Sequence, residues 1–337
     1  VKFLIVQTAF IGDVVLATPI AEKLHRFFPE AQIDFVVRRG NEGLFAEHPF
    51  IRRVWVWEKR RRKYGNLWRL VRQLRQERYD WVINCQRFAA SGILTLSVGA
   101  RHTVGFRKNP LSCFFSRRVA HSIGDLHEVE RNLALIEALT DASFELPRLY
   151  PSEADERAAR AFAPSDRPWV CIAPTSVWFT KQYPPHKWLE LMAHLPAHCT
   201  ILLLGGPEDV AACEELARQA AHPDVRNAAG RLSLLASAAL MRGAAMNYVN
   251  DSAPLHLASA VDAPVAAVFC STVPAFGFGP LSNRRFVIET PQALGCRPCG
   301  LHGRRSCPKG HFACAESIEV TQFPLPEEEA GLAGPHT

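Results

Sequence analysis

Short runs of β-branched and aromatic residues alternate along this chain with stretches whose apolar residues recur at helical spacing, and the alternation occurs twice. In the first half "KFLIV", "QIDFVV", "RVWVW" and "DWVINC" read as strands. Between them "ATPIAEKLHRFF" puts Ile20, Leu24 and Phe27 or Phe28 on one helical face. "NLWRLVRQLRQE" puts Leu67, Leu70, Val71 and Leu74 in a stripe, with Arg69, Arg72 and Arg75 pointing elsewhere. Strands alternating with amphipathic helices predict a parallel sheet covered on both faces. The polar, proline-bounded "PRLYPSEADERAARAFAPSDRP" interrupts the pattern. The pattern then restarts with "WVCIAP", "TILLLGG", "MNYVND", "APVAAVFCS" and "RFVIE" as strands and "HKWLELMAHL" and "PEDVAACEELARQAA" as helices. The 337 residues therefore read as two consecutive α/β domains, 1–160 and 161–322, with a mobile tail over 323–337.

No stretch reaches the ~18 apolar residues of a membrane span, and no signal-peptide pattern opens the chain. Val1 already lies in the first strand, so an initiator or tag is expected to have been trimmed. Of ten cysteines, Cys85, Cys113, Cys171, Cys199, Cys213 and Cys270 lie in apolar segments, as buried free thiols do. These features together predict a cytoplasmic protein. The net charge of +6 is lopsided: residues 1–165 carry 26 Lys and Arg against 18 Asp and Glu. Arg52 to Arg78 alone holds eleven basic residues with only Glu58 and Glu77, so an acidic partner is expected for the first half.

Ligands of parallel α/β sheets collect beyond the carboxyl ends of the strands, and four stretches fall there. In "VQTAFIGDVVLATP" Gly12 permits a sharp turn and Asp13 lies near the amino end of a helix, with no second acid beside it in the sequence. Asp13 is either a helix cap or a general base for a substrate hydroxyl. In "APTSVWFTKQYPPHKWLEL" Thr175 and Ser176 supply hydroxyls and Lys181 a cation, which suits a diphosphate or makes an ordinary surface loop. In "YVNDSAPLHLASAV" Asp251 and Ser252 start a helix that carries His256 one turn in. These too are anion-site residues, or a cap and a packed ring. In "LLLGGPEDVA" Glu208 or Asp209, after Gly205-Gly206, can accept from ribose hydroxyls. No Gly-x-Gly-x-x-Gly or P-loop occurs, which argues against a nicotinamide, flavin or P-loop enzyme. No Asp-x-Asp pair offers to chelate a metal-bound nucleotide sugar. Near the end, "CRPCGLHGRRSCPKGHFAC" holds Cys296, Cys299, Cys307 and Cys314, enough thiolates for a tetrahedral zinc site or for a loop of reduced thiols.

Taken together these stretches resemble glycosyltransferase family 9, the ADP-heptose:lipopolysaccharide heptosyltransferases. "GD" followed by "ATP" is similar to the family's amino-terminal signature, and "DWVIN" resembles its next signature strand, with Asn84 where Asp is commoner. "VGFR" and "HEVERNLALIEAL" resemble the segments that close its first domain. "APTSVWFTKQYPPHKWLEL" resembles its Pro-Gly-(Ser/Thr) … Lys-x-Trp-Pro block, with Thr175 for the glycine and Tyr183 for the tryptophan. "NDSAPLHLASAVDAPVAAVF" is similar to its Asp-(Ser/Thr)-x-x-x-His block. The blocks stand in family order over roughly residues 1–320.

The resemblance implies a GT-B fold: two facing Rossmann-like domains with an interdomain cleft, the acceptor on the first and the sugar nucleotide on the second. It implies an inverting heptosyl transfer from ADP-heptose to the lipopolysaccharide inner core, without a catalytic metal. Asp13 would be the base, with Thr175, Ser176 and Lys181 on the diphosphate and Asp251, Ser252 and His256 beside them. Developing charge on the leaving diphosphate would fall to Lys181 and helix amino termini. Arg60, Arg61, Arg62 and Lys63, with Arg52 and Arg53, would grip the anionic Kdo-lipid A acceptor and an anionic inner-leaflet membrane surface. Nucleic acid fits less well, since no recognised binding motif accompanies the charge. A protein or another glycan as acceptor, or a GT-B scaffold that only binds a nucleotide sugar, are the alternatives. Similar cysteine-rich endings occur in the family's heptosyltransferase II subgroup and in members with a cysteine-bound metal. Any zinc or iron there would be structural, outside the blocks assigned to chemistry.

Overall fold

The computed structural model describes residues 1–59, 61–124 and 126–326. It divides into two compact units, Val1–Tyr150 and the chain from Pro151 onward. The first contains β1 (Lys2–Val6), β2 (Gln32–Arg38), β3 (Ile51–Trp57), β4 (Trp81–Asn84), β5 (His102–Phe106) and β6 (Arg117–Val119). These strands form one parallel sheet in the order β3-β2-β1-β4-β5-β6. The second contains β7 (Trp169–Ala173), β8 (Thr200–Leu203), β9 (Val225–Asn227), β10 (Met246–Asn250), β11 (Val265–Phe269) and β12 (Arg285–Glu289). Its order, β12-β11-β10-β7-β8-β9, repeats the first with the same connectivity, again all parallel. In each sheet the chain runs outward from the first strand, then crosses back to build the other side. That reversal puts a topological switch point between β1 and β4 and another between β7 and β10.

The helical stripes behave as their spacing predicts. Leu67, Leu70, Val71 and Leu74 of the helix Lys63–Glu77 are buried, while Arg69, Arg72 and Arg75 are exposed. In the helix Thr18–Phe27, Ile20 and Leu24 are buried, and Phe28 rather than Phe27 meets the core, its ring 5.5 Å from Phe3. Three strands escape the sequence pattern. β6 and β9 are three-residue edges, too short to show a period. β5 is broken by Gly105, where a Cβ would stand 2.6 Å from the Phe115 ring, so the glycine is what lets that ring lie on the sheet.

Three expectations are corrected. The unit boundary lies at Tyr150/Pro151 rather than 160/161, because the helix Glu153–Arg160 packs inside the second unit. There Asp155 accepts from Ser233 Oγ at 2.7 Å, and Glu156 pairs with Arg242. The start of the expected mobile tail is in the core instead. Phe323 is buried against Tyr183, Trp188 and Tyr248, and Pro324 O accepts from Tyr248 Oη at 2.7 Å. Burying one such ring stabilises by about 1.5–3 kcal/mol, enough to tie down the segment. Residues 327–337 of the tail lie outside the described residues. Five of the six cysteines read as buried thiols are buried, but Cys113 is exposed in the turn Ser112–Phe114.

Candidate functional site

Both switch points carry the residues singled out in the sequence. In the second unit β7 and β10 end side by side at Ala173 and Asn250. Asn250, absent from the sequence-derived set, ties the two loops that follow. Its Nδ2 donates to Pro174 O at 2.9 Å, and its Oδ1 accepts from the Tyr183 N–H at 2.8 Å. A fully buried amide thus holds the Thr175-Ser176 turn on one side and the end of the Lys181 loop on the other. Lys181 closes the short turn Phe179–Lys181, with Nζ 2.7 Å from Asp251 Oδ2. The same oxygen accepts from Thr272 Oγ1 at 2.6 Å. Asp251 is therefore not a cap. It is a buried carboxylate that fixes the ammonium group, and Thr272 is a second positioning side chain that the sequence did not single out.

Thr175 and Ser176 are half-buried beyond β7. Ser252 is the N-cap of the helix Ala253–Ala260, and its side chain makes no capping bond, so the hydroxyl points elsewhere while the helix start keeps its positive end. His256, one turn in, is buried beside Phe278, ring centroids 6.3 Å apart. Glu208 is exposed after β8, folded back so that a Cβ on Gly206 would fall 2.8 Å from its Oε2, while Asp209 accepts from the Gly206 N–H at 2.8 Å. Lys181, Thr175, Ser176, Asp251, Ser252, His256 and Glu208 thus all follow carboxyl ends of one sheet.

The structure adds two facts about the cysteine-rich segment, for which a metal site and a loop of reduced thiols were both open. It is not remote from this loop. Arg304 N–H donates to Thr180 Oγ1 at 2.7 Å, Thr180 N–H returns a bond to Arg304 O at 3.1 Å, and Cys299 N–H donates to Ser271 O at 2.7 Å. Gly303 (φ +74°) passes so close that a Cβ would stand 2.9 Å from Lys181 Cγ. The segment walls the lysine side chain. Nor do Cys296, Cys299, Cys307 and Cys314 form a tetrahedral donor set. Among the described residues no group of three or more His, Cys, Asp or Glu side chains is placed to hold a metal ion. Cys296 Sγ stands 4.0 Å from His311 Nε2, and Cys314 is drawn into the apolar core of the unit. The thiols, with His311, line a cavity of about 240 Å³ beside Thr180.

In the first unit Asp13 is the third residue of a five-residue helix, Ile11–Val15, which follows β1 directly. Its Oδ2 accepts from the Phe10 N–H at 3.2 Å, so it does cap, from inside the helix rather than as the N-cap. The side chain stays half-buried, at the carboxyl end of the central strand. In the loop after β1, Thr8 is held by Lys59, whose Nζ donates to Thr8 Oγ1 at 2.7 Å and to Thr8 O at 3.0 Å. Burial, with Lys63 and Arg38 nearby, pulls the Lys59 ammonium down to about 8. Glu128 opens the helix Glu128–Leu133, whose Asn132 Nδ2 donates to Leu16 O, the C-cap of the Asp13 helix, at 3.1 Å. Burial raises its carboxyl above the ordinary value, Arg131 opposes, Asp13 adds to the rise and Arg87 opposes again.

The basic run divides. Arg60 lies outside the described residues. Arg61 and Arg62 are exposed beyond the carboxyl end of β3, and Lys63, half-exposed, opens the helix Lys63–Glu77. Arg52 and Arg53 sit at the other end of that strand and are already occupied. Arg52 grips Asp34 at 2.9 and 2.7 Å and Glu77 at 2.7 Å, and Arg53 bonds Glu77 at 2.6 Å. They hold the amino end of the sheet together, and the expectation that they grip an acceptor is corrected.

The family model described as glycosyltransferase family 9 (heptosyltransferase) matches residues 67–305. Lipopolysaccharide heptosyltransferase 1 of Pseudomonas aeruginosa is 30% identical over 88% of this chain and 86% of its own length. Among solved structures, the Escherichia coli ADP-heptose heptosyltransferase II superposes with a TM-score of 0.77 at 22% identity, covering 89% of this chain and 96% of that one. The E. coli heptosyltransferase WaaC with ADP gives a TM-score of 0.71 at 23% identity over 86% of this chain and 94% of that one. At these identities the solved structures establish a shared fold, the GT-B class.

Proposed function

The chain belongs to glycosyltransferase family 9, the heptosyltransferases, and from that premise we propose that it moves heptose from ADP-heptose to the inner core of lipopolysaccharide, with inversion at the anomeric carbon. Asp13 takes the proton of the acceptor hydroxyl as that oxygen attacks. ADP departs with the bonding electrons, and the growing negative charge on its diphosphate is met by Lys181 and the amino end of the helix Ala253–Ala260. A single base suffices, because a diphosphate leaves without the general acid that a glycosidase supplies. The reading needs no divalent ion, and turnover is expected to persist in EDTA.

The observation that carries this reading is Lys181 held at 2.7 Å by Asp251 at the second switch point, in a chain whose first switch point presents Asp13. A carboxylate repels a diphosphate, so Asp251 serves the donor through the lysine it aims. Thr175, Ser176, Ser252 and His256 supply further polar groups around it, and Glu208 accepts from the ribose hydroxyls in this reading. For the acceptor, Arg61 and Arg62, with Lys63 over the Tyr64 ring at 5.4 Å, offer positive charge to Kdo carboxylates and lipid phosphates. Tyr64 and Trp68 beside them are 61% and 51% exposed, amphipathic rings of the kind that settle at a membrane surface. No helix among the described residues is long and apolar enough to cross a membrane, so contact with an inner leaflet would be peripheral.

The test is ADP release from ADP-heptose by the purified chain with Kdo-lipid A, with monoheptosylated core, or with neither. Acceptor-dependent release supports the reading, and which acceptor works decides between the first and second heptose additions. Release only with a protein or another glycan would move the acceptor assignment. No release with any lipopolysaccharide core would sink it.

A further inference from the structure

The ammonium group at the second switch point is already paired. Lys181 Nζ stands 2.7 Å from Asp251 Oδ2 with both side chains largely buried, so their charges cancel before any ligand arrives. Other cations at these strand ends are also spent. Arg297 Nε donates to Cys270 O at 2.7 Å, and its guanidinium also donates to Phe269 O at 3.0 Å, to Thr272 O at 2.7 Å and to Glu289. Arg231 lies over the Phe162 ring at 4.8 Å. Arg304 is different. It is exposed, and among the described residues its guanidinium has no hydrogen-bond or ion-pair partner. Its backbone, by contrast, is fixed to the residue that precedes Lys181. The buried Thr180 Oγ1 accepts from the Arg304 N–H at 2.7 Å and from Ser271 Oγ at 3.0 Å, and the Thr180 N–H donates to Arg304 O at 3.1 Å. Gly303, at φ +74°, allows this approach, since a Cβ there would stand 2.9 Å from Lys181 Cγ and 3.3 Å from Trp178 Cβ. The cysteine-rich segment thus pins an unspent guanidinium group to the loop that carries the spent ammonium.

We propose that Arg304 is a donor-binding residue, whose guanidinium closes on the diphosphate of the nucleotide sugar and supplies the net positive charge that the Lys181–Asp251 pair lacks. The proposal rests on the reading of the second switch point as the donor site. A diphosphate carries several negative charges and gains more as it leaves, and a cancelled ion pair offers it geometry without net charge. An arginine is always charged, and its planar fork bonds two phosphate oxygens at once. Without nucleotide the Arg304 side chain stays in water, so no lone cation is buried while the site is empty. The cysteine-rich segment is then a working wall of the donor site, and Thr180 is the clip that sets its distance from Lys181.

The experiment compares ADP and adenosine binding to the wild type, Arg304→Gln, Arg304→Lys and Lys309→Gln at low and high salt, with melting temperature as the check on folding. Lys309 is the control, an exposed cation further along the same segment. Arg304→Gln should bind ADP about tenfold to a hundredfold more weakly and with a shallower salt dependence. Adenosine, which has no phosphate, should bind it as it binds the wild type. Arg304→Lys should recover part of the ADP affinity, and Lys309→Gln should match the wild type. A folded Arg304→Gln with wild-type ADP affinity overturns the proposal. Equal losses for ADP and adenosine, or an equal loss in Lys309→Gln, overturn it too, because a distorted loop or diffuse charge would then be the cause. If Arg304→Gln does not fold, the arginine Nε signals of the ¹⁵N-labelled wild type decide: one should shift and gain protection from exchange on adding ADP, and an unchanged set overturns the proposal. A wild type that binds no ADP removes the donor-site reading itself, whereas ADP held equally by the wild type and Arg304→Gln removes only the role of Arg304.

Discussion

The two units share strand order and direction, yet their switch points are finished in opposite ways. In the second, charge is matched and immobilised: Lys181 and Asp251 pair at 2.7 Å, Thr272 locks the carboxylate, and Asn250 holds the flanking loops. In the first, Arg61 and Arg62 face solvent, while Asp13 keeps a half-buried carboxylate beyond the carboxyl end of β1. The sheet only provides a place where loops converge; what the loops carry decides the chemistry. A donor held by its diphosphate wants a rigid positive pocket. An acceptor hydroxyl wants a base that can exchange its proton.

The sharpest break in this comparison is Asp13→Asn, which keeps the bond from the Phe10 N–H but removes the base. Turnover should fall by about 10²–10⁴-fold while ADP affinity, which the proposal assigns to the other unit, stays within about twofold of the wild type by calorimetry. Turnover near the wild-type rate would show that the first switch point is only a cap. Lys181→Met should act on the opposite unit, costing about 10²–10³-fold in kcat and weakening ADP as well. Its Asp251 partner is left buried and unpaired, so a melting curve must accompany the assay. If ADP binds Lys181→Met as tightly as the wild type, the ammonium does not touch the nucleotide.

Asn250→Ala should show how much of the donor pocket is loop anchoring. It strands the buried Pro174 carbonyl and the Tyr183 amide, a loss of about 1–3 kcal/mol in denaturant unfolding. KM for the donor should rise more than kcat falls. Equal effects on both would place Asn250 closer to the chemistry than its contacts do.

The smallest effect concerns the amino end of the first sheet. Bonding to Arg52 holds the Glu77 carboxyl below its ordinary value. A carboxyl group depressed in the folded state stabilises above its unfolded value, about 4.3, and that contribution is lost as pH falls through the lower folded value. The wild type should therefore lose melting temperature below about pH 4, and Glu77→Gln should start lower but lose less over the same range. Parallel curves for the two proteins would mean that the Arg52, Arg53 and Glu77 cluster is too well solvated to matter.

Much of this was legible without coordinates, because it depends on local pattern. Periods of two and near four residues are written within a dozen neighbours, and most strands and helices stand where those periods put them. Strand ends followed by Gly12-Asp13, Thr175-Ser176 or Asp251-Ser252 can be found by eye. Three-residue edge strands have no period to find, and a β5 opened by Gly105 hides its own.

What remained for the tertiary structure was which distant groups meet. Sequence alone determined two parallel α/β halves, a carboxylate after the first strand, and a lysine and an aspartate after strands of the second half. It said nothing of Asp251 pairing with Lys181, of Asn132 bonding the end of the Asp13 helix, or of Arg52 and Arg53 being consumed by Asp34 and Glu77. Nor did it show the cysteine-rich segment lying against Thr180 and Lys181 instead of closing on a metal. The reason is physical: backbone preference acts over a few residues, whereas ion pairing and burial act through space between residues that strand order brings together.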